Sequence, residues 1–170
     1  VQMPAIAVAS ACSTIAAQNL GAGHWSRVTR TAHTGMAFQL LLTGACVALV
    51  LAFERPVLAL FLPQGSAALE PALHINRIVL GSFMLLGVSN VLAGVVRSTG
   101  AVLVPLTIMV AALWCVRLPL AWGLQPLLGI DALWWSFPLS ALASMLLSLA
   151  YYRWGSWRQA RLLDAATAPH

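Results

Sequence analysis

Ser89 beside Asn90, Gln39 with Thr43, and Ser10, Ser13 and Thr14 are polar side chains set inside otherwise apolar stretches of this 170-residue chain. A hydroxyl or amide that cannot reach water must bond to a neighbouring helix, to its own backbone, or to a solute in a cleft. The chemistry on offer is therefore solute binding or helix association. Gln39 and Thr43 fall on one helical face at i, i+4, and Ser10, Ser13 and Thr14 line part of an earlier segment. Each could line a cleft or bond back to its own helix.

Hydrolytic, redox and metal chemistry find no support in these residues. There is no Ser/His/Asp set within the apolar segments and no Walker-type glycine loop. Cys12, Cys46 and Cys115 sit in apolar surroundings without Cys-x-x-Cys spacing and read as small packing residues. His24, His33, His74 and His170 include no i, i+4 pair and read as solvated.

The elements that carry these residues follow from composition. Hydrophobic residues make up 61% of the chain and charged residues 8%, and the mean hydropathy is +0.88. A soluble domain carries roughly a quarter charged residues, so this is the composition of a membrane protein. The apolar material comes in blocks of about twenty residues, the length that crosses a roughly 30 Å hydrocarbon layer as a helix. Stretches such as Leu40 to Val50 are apolar on every face, which excludes the alternation of a membrane β-barrel.

The expected fold is an all-α bundle over residues 1–152, with transmembrane spans at about 3–20, 35–53, 78–96, 101–124 and 132–152, and a basic tail at 153–170. The segment from Glu54 to Arg77 is too broken by prolines to span and is expected along one surface, with Ser66 capping a helix. The chain opens at Val1 without an initiator methionine, so it is expected to be one part of a longer polypeptide.

Charge gives orientation. Arg27, Arg30, Arg97, Arg153, Arg158 and Arg161 fall on one side by parity, and Arg55 and Arg77 on the other, with Arg117 near that face. The arginine-rich side is expected to be cytoplasmic, with the C-terminus there too. The net charge of +5 then reflects topology and contact with anionic membrane lipids, since no basic stripe interleaves with aromatics as in a nucleic-acid binder. Trp134 and Trp135 at one end of the last block, and Trp154 and Trp157 at the other, are expected to form aromatic belts, and the tail to lie as an interfacial stub.

Two turns on the arginine-rich side carry more information. "AQNLGAGHWSRV" offers Gln18, Gly21 and Gly23, with Gly21 expected to take a left-handed conformation that caps the helix. "LAGVVRSTGAVLVP" places Arg97 between Gly94 and Gly100 in a Gly-x-x-Arg-x-x-Gly pattern, with a proline restarting the chain. These turns, with "WCVRLPLAW" and "ALWWSFPLSALASMLLSLAYYRWGSW", resemble the multidrug and toxic compound extrusion (MATE) transporters in order, spacing and side.

The resemblance implies a twelve-helix fold of two six-helix lobes around a central cleft, in which the five blocks are helices eight to twelve. A missing N-terminal lobe of the same polypeptide would be the main partner. The implied function is secondary active efflux of amphiphilic or cationic drug-like small molecules in exchange for Na+ or H+, with no enzymatic activity, at the plasma (bacterial inner) membrane. Asn90, Ser89, Gln39, Thr43 and Ser13 are the cleft candidates, and Gln18, Gly21, Gly23, Arg97 and Gly100 the loop and gating residues. Arg97 would either snorkel to lipid phosphate or clamp the other lobe. No organic cofactor or metal is expected. Some members carry an acid in the helix matching block three, where this chain has "LLGVSN", so the coupling carboxylate is expected in the missing lobe. A flippase of the related polysaccharide and lipid-linked oligosaccharide branch, or a non-transporting membrane scaffold, are the alternatives.

Overall fold

A computed structural model describes residues 2–61 and 67–158 of the chain, and every described element is helical. α1 spans Gln2–Gly21, α2 Trp25–Ala52, α3 Glu54–Phe61 and α4 Leu69–Arg97. α5, Leu103–Ala111, and α6, Leu118–Leu128, are joined through Ala112–Arg117, where the backbone widens to i→i+5 bonding. α7 runs over Asp131–Trp154, and a short 3-10 turn, Ser156–Arg158, follows. Among the described residues the protein is an all-α membrane bundle of five long rods.

Four rods are long and apolar enough to cross a bilayer: α2, α4, the combined Leu103–Leu128 rod, and α7. At 20 residues α1 is about 30 Å long, but it is rich in alanine, serine and threonine and so less apolar than the others. The rods outrun the expected spans. α2 begins at Trp25 rather than near residue 35, which puts Arg27, Arg30 and His33 on the helix, and the turn before it is only Ala22, Gly23 and His24. α4 begins at Leu69, so the broken outer segment resolves into α3 and the first turns of α4. The Ser66 cap and the residues of the tail beyond Arg158 lie outside the described residues.

α4 is the hub, packing against α1, α2, α3, α5 and α7. Its contact with α1 is made by small residues. A Cβ on Gly94 would sit 2.7 Å from the Ala9 carbonyl oxygen, so glycine is what lets the two backbones touch. Ala5, Ala9, Cys12 and Ala16 form the buried stripe of α1.

The widened segment has a local cause. Pro119 has no N–H to give, and its ring crowds the carbonyl one turn earlier, so the regular ladder cannot continue through Cys115. Arg117 emerges with its guanidinium 3.2 Å from the Phe137 ring centroid on α7. That cation–π contact satisfies a charge which would otherwise face hydrocarbon.

The C-terminal aromatics depart from the expected belt. Trp154 is exposed as a belt residue would be, but Trp157 is 1% exposed. It stacks on Tyr152 at 5.0 Å, meets Trp25 at 6.1 Å, and donates its indole N–H to the Tyr152 carbonyl at 2.7 Å. The turn after Gly155 thus folds the chain back into the same apolar cluster as Ala16, Val28, Val95 and Val96.

Candidate functional site

The polar residues of the bundle separate into three places. The first is an open cleft of about 580 Å³ along one flank of α1, between it and α4. Gln2, Ser10 and Ser13 line it from α1, and Asn90 and Arg97 from α4. Helical periodicity sets this up: Asn90 and Arg97 are seven residues apart and share a face, as do Ser10 and Ser13 at three. Ile6 and Ala9 supply an apolar wall. The surface offers hydroxyls, two amides and one cation.

The second place is the seam between α4 and α7. Ser89 is buried there, 3.0 Å from the Ser144 hydroxyl and 2.8 Å from that of Ser148. Ser136, Ser140, Ser144 and Ser148 repeat every fourth residue, and all are buried. Ser89, a cleft candidate from sequence, is part of this interhelical ladder. The serine spacing was visible in the sequence and was the signal for the seam.

The third place is the contact of α2 with α4. Gln39 is 0% exposed and Thr43 is also buried. The Gln39 amide donates to the Thr43 hydroxyl and lies over Gly87, where a Cβ would meet the amide nitrogen at 2.5 Å. Neither residue lines the α1–α4 cleft. Of the five cleft candidates, Asn90 and Ser13 share that cleft, and Gln2, Ser10 and Arg97 join them.

The glycine turn departs from expectation in one residue. α1 continues through Gly21, and Gly23 takes the left-handed conformation, with φ +74°. The Gly23 N–H donates to the Leu20 carbonyl at 2.9 Å and the His24 N–H to Asn19 at 2.8 Å, a paired closure that satisfies the last carbonyls of α1. Gln18 is exposed beside this turn. Gly100, φ +88°, closes the corresponding turn after α4, with its N–H on the Arg97 carbonyl at 3.0 Å.

Charge is sorted between the two ends. Glu54 pairs with Arg77, Arg55 with Glu70 at 3.1 Å, and His74 with Asp131 at 3.1 Å, tying α3, α4 and α7 together at one end. Glu54 is not a hydrated surface acid. It is 6% exposed, and the Arg77 guanidinium that covers it holds its carboxyl below the usual carboxylate range. His74 is on α4. At the other end Arg27, Arg30, Arg97, Arg153 and Arg158 have no carboxylate partner among the described residues.

Comparison with known proteins accords with this architecture. The chain is 30% identical over 164 residues to the probable multidrug resistance protein YoeA of Bacillus subtilis (strain 168), a match covering 95% of the chain and 35% of the relative. It is 26% identical over 162 residues to the probable multidrug resistance protein YpnP of the same organism, covering 95% and 36%. The probable multidrug resistance protein NorM of Thermotoga maritima is 24% identical over 163 residues, covering 95% and 35%. The chain therefore spans about a third of the length of these relatives. No solved structure matches it significantly. A family model described as MatE matches residues 1–122, which takes in the glycine turn, the α1–α4 cleft, the hub helix and most of the Leu103–Leu128 rod, and the chain belongs to that family.

Proposed function

We propose that this chain is part of a secondary active multidrug exporter, contributing one wall of a transport cleft that a further set of helices from the same polypeptide completes. The cargo is an amphiphilic, often cationic small molecule, moved outward in exchange for Na+ or H+. Membership of the MatE family and the printed names of the relatives support export. The observation that carries the reading to particular residues is the α1–α4 cleft, where Ser13, Asn90 and Arg97 meet beside an apolar wall. A small polar set against apolar surface is what a site for amphiphiles needs.

The protein would sit in the plasma membrane with its arginine-rich end toward the cytoplasm, the orientation that the positive-inside rule favours. Glu54, Glu70 and Asp131 are each bonded at the opposite end. The coupling carboxylate, and the countercharge for a cationic cargo, would then come from the other helices.

The test is gradient-driven dye efflux in vesicles holding the full-length gene product, with Asn90→Ala and Ser13→Ala against Ser89→Ala. Cleft residues should change cargo KM or rate at unchanged melting temperature, whereas Ser89→Ala should lower stability first. Efflux indifferent to both cleft substitutions would refute the reading.

A further inference from the structure

The opposite flank of α1 carries a second groove, of about 800 Å³, between α1 and α2. Val8, Ala11, Ile15 and Phe38 supply apolar wall, Asn19, Thr31 and Thr34 interrupt it, with Asn19 and Thr31 bonded back to their own helices, and the groove ends at Arg27 and Arg30. The rise along α2 from Arg27 to Phe38 is about 16 Å at 1.5 Å per residue. That is the depth of one leaflet of a roughly 30 Å hydrocarbon layer. Trp25, exposed at this same end, stands where headgroups begin.

We infer that this groove binds an anionic phospholipid of the adjoining leaflet, its phosphate on Arg27 and Arg30 and one acyl chain laid along the α1–α2 trough. Charge selects the occupant. Neither arginine has a carboxylate partner among the described residues, and the described acids are all bonded at the far end. Two guanidiniums at headgroup level attract a countercharge, and planar donors fit phosphate oxygens in pairs. A zwitterionic headgroup leaves both positive charges in place, whereas a singly anionic one such as phosphatidylglycerol offsets one of the two. Ala7 and Ala11 keep the trough open, since a methyl side chain leaves room that a larger one would fill.

The experiment uses the full-length gene product purified from mixed lipid into detergent, with lipid retention read by native mass spectrometry against added phosphatidylglycerol, phosphatidylcholine or inorganic phosphate. Phosphatidylglycerol should be retained preferentially. The double variant Arg27→Gln/Arg30→Gln should lose that preference by at least about tenfold, the loss that one charge-assisted hydrogen bond carries. Ala11→Phe, which fills the trough and leaves both arginines in place, should lose it too. Arg153→Gln/Arg158→Gln, an equal charge change at the same end, should keep it, with circular dichroism reporting helix content in every variant. An equal loss in the Arg153/Arg158 variant would make the effect one of general charge and overturn the proposal. So would unchanged retention in Ala11→Phe, competition by inorganic phosphate at the concentration of lipid, or no lipid retained at all, as when another helix fills the groove.

Discussion

Replacing Gly94 by alanine tests the close backbone approach of α1 to α4. The added Cβ would lie 2.7 Å from the Ala9 carbonyl oxygen, with the next neighbours, the Ala9 carbonyl carbon and the Ser13 Cβ, at 3.5 and 3.6 Å. An ordinary carbon–oxygen contact needs several tenths of an ångström more, and the obstacle is backbone that cannot rotate away. α1 must retreat from α4, as in other overpacked interiors, at a cost of about 1–3 kcal/mol. Gly81, on the same helix, is a control with open space around its would-be Cβ. There alanine should stabilise by about 0.5–1 kcal/mol through helix propensity. The two substitutions should therefore differ by roughly 1.5–4 kcal/mol, a gap of about 3–16 °C in melting temperature for a chain of this size. Thermal denaturation in one detergent, followed by circular dichroism, measures it. If Gly94→Ala melts no lower than Gly81→Ala, the account of α1 seated directly on the α4 backbone is wrong.

The remaining predictions are local. Gly23→Val should cost about 1–2 kcal/mol or more, because a β-branched residue is forced to positive φ, while Gly21→Val, on regular helix with nothing near it, should cost less; detergent melting ranks the two. Trp157→Ala removes a fully buried ring together with its hydrogen bond to Tyr152, and should cost about 3–5 kcal/mol, read as a lower melting temperature and early proteolysis at the C-terminal end. Arg77 lowers the Glu54 pKa, so the pair stabilises fully above the ordinary carboxylate value of about 4.3 and the contribution drains as pH falls through the depressed one. A melting series from about pH 6 to 3 should show wild type losing more stability than Glu54→Gln across that window, and parallel curves would count against the pairing.

The rods were legible because their apolar runs are long enough to span and carry only scattered polar residues. Their ends were not. Thr29 to Thr34 reads as a loop on hydropathy, yet a helix emerging from the bilayer keeps its backbone bonds whether or not its side chains are apolar, so α2 carries Arg27 and Arg30 on its first turns. "GAG" offers two glycines for one left-handed residue, and only the paired closure onto Asn19 and Leu20 selects Gly23. The spacing of Gln39 and Thr43 showed that they share a face, but which neighbour that face meets depends on the rotation of α2 about its own axis. Asn90, one residue from Ser89, was grouped with it in sequence. The 100° turn between adjacent helical residues sends Ser89 into the α7 seam and Asn90 to the α1 cleft. Trp157 beside Arg158 looks interfacial until the chain reverses after Gly155.

The two sides of α4 resist motion differently. On the α1 side the Gly94–Ala9 contact occurs once, so sliding these helices past each other drives side chains into backbone and destroys the fit. On the α7 side the hydroxyls of Ser136, Ser140, Ser144 and Ser148 recur every four residues, about 6 Å along the axis. Sliding α7 along α4 by one rung exchanges one pair of hydroxyls for another and leaves Ser89 bonded at both positions. α1 is keyed to α4 in a single register, whereas α7 meets it through a row of repeated teeth.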